Sequence, residues 1–517
     1  MRSTFMGLET NKRGLFTQQS ALYTTGHNIS NANTPGYSRQ RVNMQATAGF
    51  PGVGLNTPTM PGFLGTGVEA GSIQRIRDSF VDQQFRQESN KLGYWESRSK
   101  AISQMEDVLA EPSEYGLQKS LSEFWSSLQQ LATDPQNGGA RAVVVERGVA
   151  VADSFNYMHK SLEEIQTNLG KEIGVSTKDI NSILEQIADL NRQISEVEPN
   201  GYMPNDLYDA RDVLLNELST YVPIEINYQK SGGRALAIAE GTVTVSIKTN
   251  GDPITVIKGK DFAKMNVDNA DTEGNPKSPV DMISFTFTAN GQATGGNLNV
   301  TAMQKSGKMR SLIDSYGYND GDVKGLYPDM LAKLDKMAME FATEFNKVHK
   351  EGTDLDGQAG DDFFATRDGS TTINAGNITV TNELINNPNR VAASTSKDVD
   401  PAEVGNGQNA KKLADVLFAP LGTNGSGLDG STVQSYFAGI IGELGVQGQQ
   451  ADRMTFNTTT LLGAVSNRRD SISSVSLDEE MTDMIKFQQA YNASARMITV
   501  VDETLEKIIN GMGVVGR

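Results

Sequence analysis

Both ends of this chain carry apolar residues at helical spacing, with too little neighbouring sequence on either side to bury them. Near the start, Leu8, Leu15, Leu22 and Ile29 recur at a strict spacing of seven, which sets one apolar residue per two turns on one side of a helix. The residues between them are mostly polar (Asn11, Gln18, Thr25), so the seam is thin. The helix is predicted to stop near Asn31-Ala32-Asn33-Thr34-Pro35-Gly36, because proline disfavours helix in the residue before it and glycine permits a turn. At the other end Leu477, Met481, Met484, Gln488, Tyr491, Ala495, Ile498, Asp502, Leu505 and Ile509 step by alternating fours and threes, the spacing of a coiled-coil seam. Ser476 with Glu479 reads as a capping box and Gly511 as a C-cap. A stripe of this kind ordinarily packs on its own domain. Here the terminal position of both helices favours pairing with each other and with the same helices of other copies.

The middle of the chain differs from its ends. A long helical stretch is predicted over 139–197, with Val151, Phe155, Met158, Leu162, Ile165, Leu169, Ile173, Ile180, Ile183, Ile187, Leu190, Ile194 and Val197 as its apolar set. Leu334, Met337, Phe341, Phe345 and Val348 mark a helix that returns to the same bundle. Between them the pattern turns to period two, at Val222–Tyr228, Val243–Ile247 and Ile283–Phe287, and Asn250-Gly251 reads as a type I′ hairpin turn. The Gly-, Asn-, Asp-, Ser- and Thr-rich run from Gly352 to Gly430 reads as loops with a short β piece at Ile378–Val380. The expected fold class is α+β multidomain. It has paired N- and C-terminal coiled-coil helices, a long helical rod-like bundle discontinuous in sequence, and an inserted small antiparallel β domain. The expected boundaries are 1–75 (N-terminal helix and motif), 76–222 (rod, first part), 223–300 (β domain), 301–350 (rod, return), 351–430 (loop-rich), 431–475 (rod, last part) and 476–517 (C-terminal helix).

Composition removes whole classes of function. The absence of cysteine rules out disulfides and thiolate metal sites. A net charge of -17 repels nucleic acid and anionic membrane alike, and no apolar run approaches the roughly 20 residues needed to span a bilayer. Met1 to Thr10 lacks the apolar core of a secretory signal, so composition alone points to a soluble, cytoplasmic protein. His27, His159 and His349 are read without a second histidine or a glutamate at metal-ligand spacing, and a solvated or capping role is expected for them. Asp354, Asp356, Asp361 and Asp362 depart from a calcium loop at Gln358, Ala359 and Ala365 and read as a solvated acidic turn. No phosphate-binding loop, nucleophile elbow or dinucleotide fingerprint is present. The expectation is no catalytic site, no metal and no cofactor.

Two stretches resemble a known family. Asn28-Ile29-Ser30-Asn31-Ala32-Asn33-Thr34-Pro35-Gly36-Tyr37-Ser38-Arg39 resembles the N-terminal signature of bacterial flagellar rod, hook and hook-associated proteins, with Asn31, Asn33, Thr34, Pro35, Gly36 and Tyr37 as its motif residues. Ser476 to Ile509, including Phe487-Gln488-Gln489-Ala490-Tyr491-Asn492-Ala493-Ser494-Ala495-Arg496, resembles their C-terminal signature. Asn205–Asp212, Asn346–Gly352 and Asn387–Ser394 are similar to segments of the family's members at the hook–filament junction. Gly405-Asn406-Gly407 lacks the aspartate expected after the glycine, and Gly513 to Arg517 extends past the usual C-terminal helix.

The resemblance implies a structural, non-enzymatic subunit. Its terminal helices would pair into the inner tube of an axial structure, with the rod around it and the β domain outward. It also implies export by the flagellar type III apparatus to an extracellular place in the flagellum. Implied partners are other copies of the chain, the hook protein, the next junction protein (hook-associated protein 3) and an export chaperone at the C-terminal helix. Leu8, Leu15, Leu22 and Ile29 would supply one seam. Leu477, Met481, Met484, Tyr491, Ala495, Ile498, Leu505 and Ile509 would supply the other, with Gln488 and Asp502 fixing register. A hook or distal rod subunit, or an exported scaffold with a ligand-binding β domain, stays open as an alternative.

Overall fold

The computed structural model describes residues 5–50, 65–109, 116–289, 292–396, 405–422 and 427–511. The Gly513–Arg517 tail and positions 1–4 lie outside the described residues. The chain is an α+β multidomain protein in which helices dominate and the strands are all antiparallel within their sheets.

Helix α1 (Met6–Ser30) ends where Asn31 caps it. A hairpin of β1 (Gln40–Ala46) and β2 (Val68–Arg75) follows, paired from Gln40↔Arg75 to Ala46↔Val68 with a register shift at Gly71. No strand is predicted here: Val42, Met44 and Ala46 alternate, but the run is short and polar, and Met44 and Ala46 are exposed. The hairpin is held on α1 by polar contact instead: the Thr17 hydroxyl donates to the Val68 carbonyl at 3.1 Å. Gly67, at φ +113, lets the backbone approach Thr10.

The helical body is α2 (Ser79–Leu109), α3 (Leu117–Thr133), α4 (Gly138–Val197) and α5 (Asn205–Tyr221). The spine is α4, 60 residues and so about 90 Å long. Asn137 caps it by accepting from the backbone N–H groups of Gly139 and Ala140. Its apolar stripe from Val151 to Ile194 is buried along most of its length, which is what holds so long a helix in one body.

A single antiparallel sheet follows: β3 (Ile224–Gln229), β4 (Thr242–Ile247), β5 (Ile254–Lys258), β6 (Asp261–Val267), β7 (Met282–Ala289) and β8 (Gln292–Asn299), in sequential order. It lies against the C-terminal half of α4 through two asparagines. Asn181 exchanges two hydrogen bonds with the Met265 backbone, and Asn191 does the same with Val243 while also donating to the Gly259 carbonyl. The predicted I′ turn at Asn250-Gly251 is not made. Neither residue has positive φ, and the connection is a longer loop pinned where Asn250 N–H donates to Ala302. The tight two-residue turn is at Gly259-Lys260, with Gly259 at φ +62 between the paired Lys258 and Asp261.

Helix α6 (Lys308–Tyr316), the small hairpin β9 (Tyr318–Asp320) and β10 (Asp322–Lys324), and α7 (Leu326–Lys350) return the chain to the body. The Gly352–Gly430 run is not loop alone. It forms β11 (Phe364–Thr366), β12 (Ile378–Val380), α8 (Asn382–Asn386) and α9 (Gln408–Val416). Phe363 and Phe364 pack with Phe124, Phe341 and Phe345 in one aromatic cluster, ring centroids 4.9–6.2 Å apart. The apolar residues here come in short pairs rather than periodic runs, which hides the core in the sequence.

Helix α10 (Val433–Ser473) lies on α2, with the Arg469 guanidinium 4.0 Å from the Phe85 ring centre and Ser99 donating to Asp452. Thr432 and Ser435 form a capping box at its start. Helix α11 (Leu477–Gly511) then lies on α1, and Gly511 is its last described residue.

Replacing Asn191 with leucine keeps the branched skeleton, with bulkier ends, and strands Val243 N–H and the Val243 and Gly259 carbonyls. The expected loss is about 2–4 kcal/mol in chemical denaturation, against under about 1 kcal/mol for a leucine at the exposed Asn200.

Candidate functional site: the paired chain ends and their seat

The two terminal helices run antiparallel. A side chain added at Gly7 would touch Val501 at 3.8 Å and one at Gly14 would touch Ser494 at 3.4 Å, while Asn28 meets Glu480. As the number rises by seven along α1 it falls by seven along α11, so the alignment does not drift. The buried face of α1 is Thr17, Ala21, Thr24, Thr25 and Asn28. Leu8, Leu15, Leu22 and Ile29 lie one position along from Gly7, Gly14, Ala21 and Asn28 and are half-buried. On α11, Glu480 and Leu505 are buried, and Met484, Tyr491 and Ile498 are half-buried on the same face. Ala495 is half-buried beside that face. Leu477, Met481 and Ile509 are exposed, as are Ile485, Met497, Val500 and Ile508, so much of the apolar surface of α11 stays uncovered by α1. Gln488 and Asp502 are exposed as well. The sequence pattern merges two faces that a two-helix pair cannot bury together.

The motif between α1 and β1 is a turn closed by its own side chains. The Asn31 side chain donates to the His27 carbonyl, and the Thr34 hydroxyl donates to Asn31 Oδ1. Asn33 and Pro35 are exposed. Gly36 sits at φ +79, and a Cβ there would overlap Val213 of α5, so both conformation and space require glycine. The Tyr37 hydroxyl donates to Asn28 Oδ1 at 2.8 Å and lies 2.8 Å from His27 Nδ1. Burial, with Asp206, Asp209 and Glu480 nearby, pushes its ionisation well above the ordinary tyrosine value.

The next residues dock this turn onto two other elements. Ser38 donates to Asp209 through both its N–H and its hydroxyl, and Gln40 donates to Asp206 while accepting from Asn205. Arg39 reaches the start of α11, 2.5 Å from Glu479 and 2.6 Å from Glu480. Glu479 therefore pairs with arginine rather than closing the predicted capping box. Below the turn, Arg75, Arg77 and Arg86 surround Asp212 at 2.8–3.0 Å, and Arg75 also binds Asp209 and Glu240. Burial alone would raise the Asp212 carboxyl, but Arg77, Arg75 and Arg86 hold it well below the usual carboxylate range. The segment 205–212 is thus the seat on which the N-terminal motif rests. Sequence reasoning missed Arg75, at the end of a strand without a clear pattern, and Arg77 just beyond it, though the density of carboxylates in Asp206, Asp209 and Asp212 was a signal for basic partners.

The remaining polar candidates are structural. His349 is 0 % exposed rather than solvated; Nδ1 lies 2.6 Å from the Asp361 carbonyl, and Nε2 accepts from the Ala392 N–H at 2.9 Å. His159 lies 3.6 Å from Glu163, one turn on, and 3.5 Å from Asp335, partners the sequence reading passed over. Asp354 is buried, not solvated; its Oδ1 accepts from the backbone of Asp356 and Gln358, and Arg390 approaches it at 3.5 Å. Among the described residues, no group of His, Cys, Asp and Glu is arranged to hold a metal ion, and no helix is long and apolar enough to cross a membrane.

First and last helices paired, with a signature turn seated on a helical body, define the class of flagellar axial subunits, and comparison with known proteins agrees. Residues 8–37 match the family described as Flagella basal body rod protein, and 469–511 match Flagellar basal body rod FlgEFG protein C-terminal. Residues 102–364 match Flagellar hook-associated protein FlgK helical domain. The chain is 45% identical to flagellar hook-associated protein 1 of Bacillus subtilis over the whole of both chains. It is 25% identical to that of Escherichia coli over 96% of this chain and 98% of the other. The flagellar hook junction protein FlgK from Burkholderia pseudomallei shares the fold, with a TM-score of 0.58 at 13% identity over 76% of this chain and 100% of that one. The chain belongs to the flagellar hook-associated protein 1 (FlgK) family.

Burial lowers the His349 pKa from 6.5 to about 4, against the opposing effect of the Asp361 carbonyl. The unfolded chain therefore takes up a proton as pH falls below about 6.5 while the folded chain does not. Stability attached to this residue is complete above that pH and drains away down to about 4. Melting temperature should fall over this window, and a His349→Gln variant should show a shallower fall.

Proposed function

We propose that this chain is a non-enzymatic structural subunit at the junction between the flagellar hook and filament. It is exported by the flagellum's own type III apparatus and assembles outside the cell through its paired terminal helices. The observation that carries the reading is the α1–α11 pair, which satisfies one face of α11 within the chain. It leaves Leu477, Met481, Ile485, Met497, Val500 and Ile509 exposed, apolar side chains available to neighbouring subunits. Copies of the chain stacked side by side would bury these side chains. The hook protein and the next junction protein, hook-associated protein 3, would meet the two ends of the assembly. An export chaperone at the C-terminal helix would shield the same side chains before export. In this reading the rod segments 76–222, 301–350 and 431–475 surround the terminal pair and the 223–300 β domain faces outward. The names of the B. subtilis and B. pseudomallei relatives support the junction position.

Deletion of the coding sequence, followed by electron microscopy of cells and assay of the medium for monomeric flagellin, tests the placement. Hooks without filaments and flagellin lost to the medium are expected. Intact filaments would reject the junction, and missing hooks would move the protein to the hook or rod.

A further inference from the structure

The pairing of the chain ends has little in its apolar packing to fix its register. Where α1 meets α11 it offers Gly7, Gly14, Ala21 and Asn28, with no large side chain among them, and the half-buried Leu8, Leu15 and Leu22 beside them repeat every seven residues and so sit alike after a slide of one heptad. Met484, Tyr491, Ile498 and Leu505 of α11 would find a similarly shallow surface after sliding one heptad, about 10 Å.

The polar groups do distinguish the alignments. Glu480, 2 % exposed, accepts from Arg39 Nε at 2.6 Å and from Asn28 Nδ2 at 3.1 Å. Asn28, 1 % exposed, is fully engaged: Nδ2 also donates to the Gln40 carbonyl at 2.8 Å, and Oδ1 accepts from the Gln40 N–H and the Tyr37 hydroxyl. The turn therefore fixes Asn28, and Asn28 with Arg39 fixes where Glu480 must sit. A slide of one heptad carries Glu480 opposite Ala21, or past the end of α1 at Ser30. Either way a buried carboxylate loses its amide and guanidinium partners, which is strongly unfavourable. Gln488 and Asp502, exposed on another face, have no such partner across the pair.

We propose that the Asn28–Glu480–Arg39 contact is the register lock of the terminal helix pair, setting which turn of α11 meets which turn of α1. The proposal deepens the reading that these helices are the assembling element. It is testable apart from that reading, because register is measured within one chain and the deletion phenotype is not.

The chain contains no cysteine, so introduced pairs report cleanly. Gly14→Cys with Ser494→Cys, and Gly7→Cys with Val501→Cys, are the native-register pairs. Gly14→Cys with Val501→Cys, and Gly7→Cys with Ser494→Cys, are each one heptad out. In the otherwise unaltered full-length chain the native pairs should close at least about tenfold faster than the slipped ones. Adding Glu480→Leu should bring that ratio below about threefold, while Glu480→Gln, which keeps an acceptor toward Asn28, should retain most of it. Should Glu480→Leu lose helical circular dichroism, Asn28→Leu is read in its place. An unchanged ratio in the leucine variant, equal closure of native and slipped pairs without it, or no closure of either native pair would each overturn the lock.

Discussion

The first and last helices lie against each other, and everything between them must leave and come back. That constraint orders the molecule as nested pairs. Inside the α1–α11 pair lies the α2–α10 pair, again joining early sequence to late. Within that, α4 provides a spine against which the sheet, α7 and the 352–430 segment are placed. The excursions differ in size and kind, yet each begins and ends on the helical body. The Arg75, Arg77 and Asp212 cluster stands where the terminal pair meets that body, so the two are joined by buried charge rather than a flexible connection. Breaking such a cluster by removing one partner leaves uncompensated charge, about 3–5 kcal/mol in comparable cases.

A second device recurs at the contacts between helices and extended chain. Asn28 pairs with the backbone of Gln40, Asn181 with Met265, Asn191 with Val243, and Asn346 with Phe363 and Phe364. A carboxamide presents one donor and one acceptor in a plane, as a peptide group does, so from a helix it can stand in for a neighbouring strand. The asparagine is short enough to hold the helix close. This lets elements without complementary apolar faces be joined firmly, and it accounts for how the polar β1–β2 hairpin and the Gly-rich segments find fixed places.

What was legible in the sequence follows from this division. Where burial is by periodic apolar stripe, as from Val151 to Ile194 of α4, the pattern alone located the helix. The stop at Asn31 and the sheet between 224 and 299 were likewise readable. Where burial depends on asparagine or arginine reaching across the chain, it was not: the alternation of β1 is short and does not mark a buried face, β2 loses its alternation at Ser72, and α9 is too short for its period to stand out. Phe363-Phe364 is a pair without a repeat. At the chain ends the heptads were visible, but the sequence could not say which of two adjacent stripes faces α1. That is decided by Gly7, Gly14 and Ala21, small residues that a search for apolar seams passes over. Ser476 with Glu479 fitted a capping pattern, and Arg39, distant in sequence, takes the glutamate instead.

The contact between Asn28 and Glu480 spans 452 residues, and that separation is also an interval of time. At roughly 5–20 residues per second of synthesis, α1 leaves the ribosome about half a minute to a minute and a half before its partner exists. The line of α1 that meets α11 is Gly7, Gly14, Ala21 and Asn28, so the pairing face itself exposes little apolar surface while it waits. The larger side chains lie on the helix made last. The asymmetry between the two faces places the sticky half of the pair where it has the shortest wait.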